Sequence, residues 1–291
     1  AISDHGNMFG AFEFVAEAFK HKDDNGNVKV KPIVGCEFYI TETRHQKTFT
    51  KEQKDKRYHQ ILLAKNEQGY RNLVKLTSLG FIEGMYGKYP RIDKELILKY
   101  HEGLIATTCC LGASVPQAIL RKGDEDGENE FKWWLNVFQE DYYVELQRHG
   151  MSEQDKVNEV LIKFAKKYNV KIIASNDSHY VEQDDFNAHD ILLCINTGEK
   201  QATPALRDFA DDDVHMKDKR FAFPNDQFYF KTTEEMSKVF HDLPEAIDNT
   251  NEVVDKIELL NLTRDILLPN FPVEKRFEIH SKEETIGKYK V

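Results

Sequence analysis

Several polar residues stand where their side chains could bind metal or move a proton. Asp4-His5-Gly6 ends a short apolar opening, Glu37 lies inside GCEFYI, and His59 lies inside KRYHQILLA. Cys110 falls in ATTCCLGA, and Asp177 and His179 fall in IIASNDSHY. Carboxylate, imidazole and thiolate together are the ligand set of Zn²⁺, Mn²⁺ or Fe²⁺. Cys110, Asp177 and His179 each follow directly on a β-rich run. In parallel α/β folds, that is where function is built.

Each residue also has a plainer reading. An isolated Asp-His-Gly equally describes a turn held by an Asx hydrogen bond. A lone cysteine such as Cys110 is more often a small core residue than a ligand. Glu37 is harder to dismiss, because a carboxylate buried in an apolar strand is costly unless paired or metal-bound, although a strand-edge surface position would also serve. The Asp-x-His of Asp177 and His179 is the strongest local signal, since both residues should share one rim. His149, in ELQRHG, reads as a supporting or surface residue. Cys36, Cys109 and Cys194 read as packing residues, and His21, His45, His101, His215, His241 and His280 as solvent-facing. His59 stands at the start of its β run. To join the others, that strand must run against its neighbours, or the loop before it must fold over the rim.

The elements that must position these residues alternate. β-rich runs are expected at Lys29–Tyr39, Tyr58–Ala64, Leu104–Thr108, Tyr142–Gln147 and Val170–Ser175. Helical spacing is expected over Phe9–Lys20, Gly69–Gly80, Lys94–Tyr100, Phe131–Phe138 and Glu153–Tyr168, the last behind Ser152 as N-cap. Such alternation predicts a mostly parallel sheet covered by helices, open or closed into a barrel. Residues 199–230 read as an extended, partly mobile loop. Thr232 with Glu235, and Asp242 with Glu245, match the start of two further helices.

The chain has 291 residues, a hydrophobic fraction of 40% and a formal charge of −10. That composition supports a buried core and excludes disorder throughout. No run approaches the ~20 apolar residues of a membrane helix, and no secretory signal is visible, so a cytoplasmic protein is expected. The acidic balance argues against a protein that coats DNA, although carboxylates holding divalent metals invert their local field and can accept a phosphodiester. Four irregularly spaced cysteines, with no CxxC, predict reduced thiols.

Taken in order, AISDHGNMFGAFEF, KPIVGCEFYI, YHQILLAKNEQGYRNL, GLIATTCCLGASVPQAIL, YVELQRHG and IIASNDSHYV closely resemble one family. It is the PHP (polymerase and histidinol phosphatase) domain, in the form found in the alpha subunit of bacterial DNA polymerase III. FPNDQFYFKTTEEMSKVFHDLPEAIDNTNEV is similar to the same polymerase branch and counts against a free small-molecule phosphatase, which lacks it. The resemblance implies a distorted, TIM-like (β/α)₇ barrel with up to three divalent metals (Zn²⁺, Mn²⁺ or Fe²⁺) at one end. Carried over by motif, Asp177 and Glu37 would help hold one metal, and His5 with His179 a second. Glu37, His59 and Cys110 would hold a third, with Glu37 bridging.

The implied reaction is metal-assisted phosphodiester hydrolysis, with Glu37 and Asp177 the best candidates for catalytic groups beside the attacking water. In several members this is a proofreading 3′–5′ exonuclease. In others the ligands are lost, and the domain is a scaffold for the polymerase and its proofreading subunit. Implied partners are DNA 3′ ends, the polymerase palm and other domains of the same subunit, and replisome subunits, with no membrane. The family's first strand carries an H-x-H motif that occurs nowhere in this sequence. The expectation is therefore a barrel lacking its first strand and up to three ligands, with impaired hydrolysis. Expected boundaries are a barrel core at 1–198, a loop and small helical extension at 199–270, and a linker toward the palm at 271–291.

Overall fold

Seven consecutive buried residues, Gly35–Thr41, form β1. Their mix of Ile, Phe, Tyr and Cys suits a strand covered on both faces. It is followed by β2 (Tyr58–Ala64), β3 (Arg91–Asp93), β4 (Leu104–Thr107), β5 (Tyr142–Leu146) and β6 (Ile172–Ala174). The computed structural model describes residues 1–50, 53–206 and 219–264, so His215, His280 and the expected linker at 271–291 lie outside the described residues.

The strands form one sheet in the order β3-β1-β2-β4-β5-β6. β1 with β3, β4 with β5 and β5 with β6 are parallel, but β2 is antiparallel to both β1 and β4. The sheet is therefore mixed, not mostly parallel. Parallel neighbours need a crossover, usually a helix, and no helix is described between β1 and β2, so the chain returns antiparallel. Along the other edge of β1 run the first residues of the chain. Gly35 donates to Ile2 O at 2.8 Å, Glu37 to Asp4 O at 3.0 Å, and Gly6 to Glu37 O at 2.8 Å. β3 takes over that edge from Tyr39 to Thr41.

Helices cover the sheet: α1 (Ala11–Ala18), α2 (Glu67–Ile82), α3 (Lys94–Tyr100), α4 (Ser114–Lys122), α5 (Asp124–Phe138), α6 (Ser152–Tyr168) and α7 (Phe186–Thr197). α4 and α7 were not expected from periodicity. Pro116 in the first turn interrupts the pattern of α4, although a proline is tolerated there. α7 leaves Ile191, Leu192 and Ile195 exposed and buries Asp190 and Cys194, so its apolar residues mark no single inward face.

Ser152 is the first residue of α6, not its cap, and its hydroxyl donates to Glu153. After β7 (Ala205–Leu206) and β8 (Arg220–Phe221) come α8 (Thr233–Val239) and α9 (Glu245–Lys256). Thr232 and Glu235 form the expected capping box of α8. Asp242 does not cap α9, whose N-cap is Pro244; it accepts from Arg148 at 2.5 and 3.0 Å instead. The described part of the 199–230 stretch is tied down, since Arg220 pairs with Asp190 of α7 at 2.5 and 2.9 Å.

Ile33, Ile105, Tyr143, Ile173, Val253 and Ile257 form a buried cluster that packs α9 against β4, β5 and β6. Removing a buried Ile or Tyr here would cost about 2–5 kcal/mol. No helix among the described residues is long and apolar enough to cross a membrane.

Candidate metal centre

The pleat and register of β1 and β2 assemble the centre. Glu37 lies opposite Ile61, and Tyr39 opposite His59, so Glu37, Tyr39 and His59 share one face. His5 joins that face through a parallel bridge to Glu37. Because β2 runs antiparallel, its first residues lie beside the loop after β4, and His59 N donates to Gly112 O at 3.0 Å. This is the first of the two arrangements that could bring His59 to the others. Gly112 permits the close approach, since a Cβ there would stand 3.0 Å from His59 Nδ1.

Glu37 is 5% exposed and meets an imidazole with each oxygen. Oε2 is 3.0 Å from His5 Nδ1, and Oε1 is 2.9 Å from His59 Nδ1. Burial pushes the carboxyl pKa up, but His59 and His5 more than offset it, and the group is held well below the usual range. Tyr39 lies against both imidazoles, at 6.1 Å from the His5 ring and 5.5 Å from that of His59.

Two positions after strands adopt the left-handed conformation that side chains other than glycine rarely take. They are Cys109 (φ 58°) and Asp177 (φ 45°), and both border the centre. Cys110 Sγ lies 3.6 Å from Glu37 Oε1 and 3.5 Å from His59 Nδ1. Cys109, expected to be a packing residue, places its own Sγ 3.7 Å from Glu37 Oε1. Burial raises the Cys109 thiol to about 12. The neighbouring Cys109 thiol, together with burial, raises Cys110 well above its ordinary value. Without metal, both remain thiols at neutral pH.

Asp177 and His179 line the same cavity of about 310 Å³, and the His179 ring lies 6.1 Å from that of His5. Asn176 anchors their loop by donating to Gln227 O at 2.9 Å and Tyr229 O at 2.7 Å, and His179 N donates to Phe228 O at 2.8 Å. Burial raises the Asp177 carboxyl to about 6, with Glu37 and Glu145 adding to the shift and His179 opposing it. The fold thus brings His5, Glu37, His59, Cys110, Asp177 and His179 to one cavity. Among the described residues, donor atoms are close enough to share one ion in two groups, His5–Glu37–His59 and Glu37–Cys109–Cys110. Neither group includes Asp177 or His179.

His149 is buried, and it orders the loop from behind. Its Nε2 donates to Asn176 O at 2.9 Å, while Nδ1 accepts from Gln154 Nε2 at 2.8 Å. Its ring stacks on Phe228 at 3.9 Å. Burial lowers its pKa to about 4, so the ring is neutral. His189, on α7, had no strand end or motif to mark it. It lines the cavity 5.9 Å from the His179 ring, with Nδ1 buried and unbonded, and burial lowers its pKa.

Residues 1–149 match the PHP domain model. This chain belongs to the PHP domain family. The matched stretch holds His5, Glu37, His59 and Cys110, while Asp177 and His179 lie beyond it. The PHP chain is 42% identical to DNA polymerase III subunit alpha of Borreliella burgdorferi over 293 residues, covering 99% of this chain and 23% of that protein. It is 41% identical to the subunit of the same name from Thermus aquaticus, covering 87% of this chain and 19% of the relative. For that of Chlamydia pneumoniae the identity is 37%, covering 94% and 22%. The chain thus spans about a fifth of the length of these relatives.

Proposed function

We propose that this chain is the PHP portion of a replicative DNA polymerase III alpha subunit, and that the portion is a metal-dependent phosphodiesterase acting on DNA 3′ ends. The observation that carries the reading is Glu37, a buried carboxylate with an imidazole on each oxygen and two thiols beside it. Such a group is costly to bury for structural reasons alone, and this donor set suits Zn²⁺, Mn²⁺ or Fe²⁺.

Asp177 and Glu37 would help hold one metal, His5 with His179 a second, and Glu37, His59 and Cys110 a third, up to three ions in all. Bound divalent metals polarise phosphoryl oxygens and lower the pKa of water. Within the chain, His5 and His59 keep Glu37 ionised, and Tyr39 braces both rings. Asp177 lines the same cavity, and with Glu37 it is the candidate carboxylate beside the attacking water. His149 and Asn176 fix the backbone from which Asp177 projects. We place the PHP sheet within a distorted (β/α)₇ barrel, with the helices after residue 198 as an extension. DNA, the polymerase palm and other replisome subunits are the partners, in the cytoplasm.

The test is elemental analysis of the chain purified without chelator, beside a Glu37→Ala variant, followed by release of 3′-terminal nucleotides from a labelled single strand. The sequence has no H-x-H. Turnover is therefore expected to be weak, and metal retention is the first readout. Metal held by the parent chain and lost in the variant supports the reading. Metal absent from the parent chain, or held equally by Glu37→Ala, refutes it and leaves a scaffold for the polymerase and its proofreading subunit as the function.

A further inference from the structure

Cys109 and Cys110 follow β4 and turn their sulfurs toward the same atom. Cys109 Sγ lies 3.7 Å from Glu37 Oε1, and Cys110 Sγ lies 3.6 Å from it. The two sulfurs and a carboxylate oxygen of Glu37 all stand within 4.8 Å of one another. Successive side chains of a strand point to opposite faces, so this convergence needs a break in the backbone. The break is Cys109 itself, at φ 58°, a conformation that a residue with a Cβ adopts only under strain. Its backbone is held from two sides. Cys109 N donates to Thr107 Oγ1 at 3.0 Å, and Thr108 Oγ1 donates to Glu145 O at 3.1 Å.

Packing alone does not call for a side chain at that conformation, which glycine takes without strain. As a hydrogen-bond donor Cys109 is redundant, since Cys110 offers its own S–H to the same oxygen and an imidazole already meets each oxygen of the carboxylate. The spacing fits coordination. A tetrahedral zinc takes sulfur at ~2.3 Å and a carboxylate oxygen at ~2.0–2.2 Å, which sets sulfur and oxygen about 3.5–3.7 Å apart. The observed separations of 3.6 and 3.7 Å match.

We propose that Cys109 is a ligand of the ion given to Glu37, His59 and Cys110, which then has two thiolates and is a zinc rather than a manganese site. This rests on the metal-dependent reading and extends it to the identity of one ion. Thiolate is a soft donor that selects Zn²⁺, whereas carboxylate suits Mn²⁺ as well. Each thiol releases its proton to solvent as the ion binds. The other two ions have no sulfur among their donors, so the centre combines one sulfur-rich position with two built from nitrogen and oxygen.

The test titrates the full 291-residue chain, stripped with chelator, with Co²⁺, which takes the place of zinc and shows near-ultraviolet charge-transfer absorbance for bound thiolate. Because the other two ions meet no sulfur, that band reports this position alone. Cys109→Gly is the main variant, since glycine accepts the left-handed backbone, and Cys109→Ser repeats the change with side-chain size kept. Cys194→Ala, in α7, is the control. Cys109→Gly, Cys109→Ser and Cys110→Ser should each show about half the parental band, and Cys194→Ala all of it. Circular dichroism of every variant should match the parent. In competition with a chelating dye, Cys109→Gly should hold Zn²⁺ about tenfold or more weakly, so that the preference for Zn²⁺ over Mn²⁺ narrows.

A full parental band in Cys109→Gly, or an unchanged preference for zinc, overturns the proposal and leaves Cys109 as a hydrogen-bond donor to Glu37. Metal lost in Glu37→Ala would still uphold the metal-dependent reading in that case. A parent chain that binds no Co²⁺ refutes both.

Discussion

His149 and Asp177 are joined through one peptide group and should tilt the stability of the metal-free chain in opposite directions with pH. His149 moves from its ordinary 6.5 down to about 4 in the fold. Its contribution is complete above pH 6.5 and is lost as pH falls toward 4, because there the unfolded chain binds the extra proton. At ~1.36 kcal/mol per pH unit, that is about 3 kcal/mol. Asp177 moves from 3.8 up to about 6. The folded chain holds that proton between those values, so its contribution is complete at low pH and is lost as pH rises through 6. This is again about 3 kcal/mol.

In the parent chain the two nearly cancel between pH 4 and 6.5. His149→Gln should lose stability by about 3 kcal/mol relative to the parent as pH rises across that window. Asp177→Asn should gain about as much, and the double variant should return to the parental slope. Urea unfolding of chelator-treated protein at half-unit pH steps measures each slope. Single variants whose stability runs parallel to the parent at every pH would refute the reasoning, and with it the assignment of His149 as the neutral ring behind the loop.

Two further perturbations probe the frame. Arg91 is fully buried and donates to Gly84 O at 2.9 Å, Asp55 at 2.7 Å and Gln46 O at 2.7 Å. Arg91→Ala should cost roughly 3–5 kcal/mol in chemical denaturation, and Arg91→Lys should not restore it; a loss under about 1 kcal/mol would contradict the role given to this network. Gly112→Ala should displace the His59 ring and weaken zinc binding about tenfold or more in a competition titration. Unchanged affinity would remove His59 from the ligands.

Much of the centre was legible because its residues sit at the ends of runs whose period is plain. Glu37 announced itself as a carboxylate inside an unbroken apolar strand, and the cost of burying it pointed to partners before any were known. Asp177 and His179 followed a strand directly and landed on the same rim. His189 and the phenylalanines that line the cavity, Phe221, Phe223 and Phe228, were not legible. They come from α7, whose apolar residues do not segregate to one buried face, and from a polar stretch with no regular period. Cys109 is buried as expected of a packing residue, but its contact with Glu37 was not legible, for a related reason. Neighbouring cysteines on a regular strand would point to opposite faces, and only the left-handed turn at Cys109 lets both thiols reach Glu37.

By itself the sequence determined five of the six strands of the sheet, with β3 not expected, and it also determined which carboxylate could not be buried unpaired and which donor types a metal would meet. Those are local properties, set by side-chain chemistry and by the two- and 3.6-residue periods of the backbone. The tertiary structure decided the direction of β2. Only the antiparallel return brings His59, at the start of its strand, beside residues that stand at or near the ends of theirs. Strand direction depends on whether the connecting segment folds into a crossover helix, and residues 42–57 carry no pattern that settles this locally.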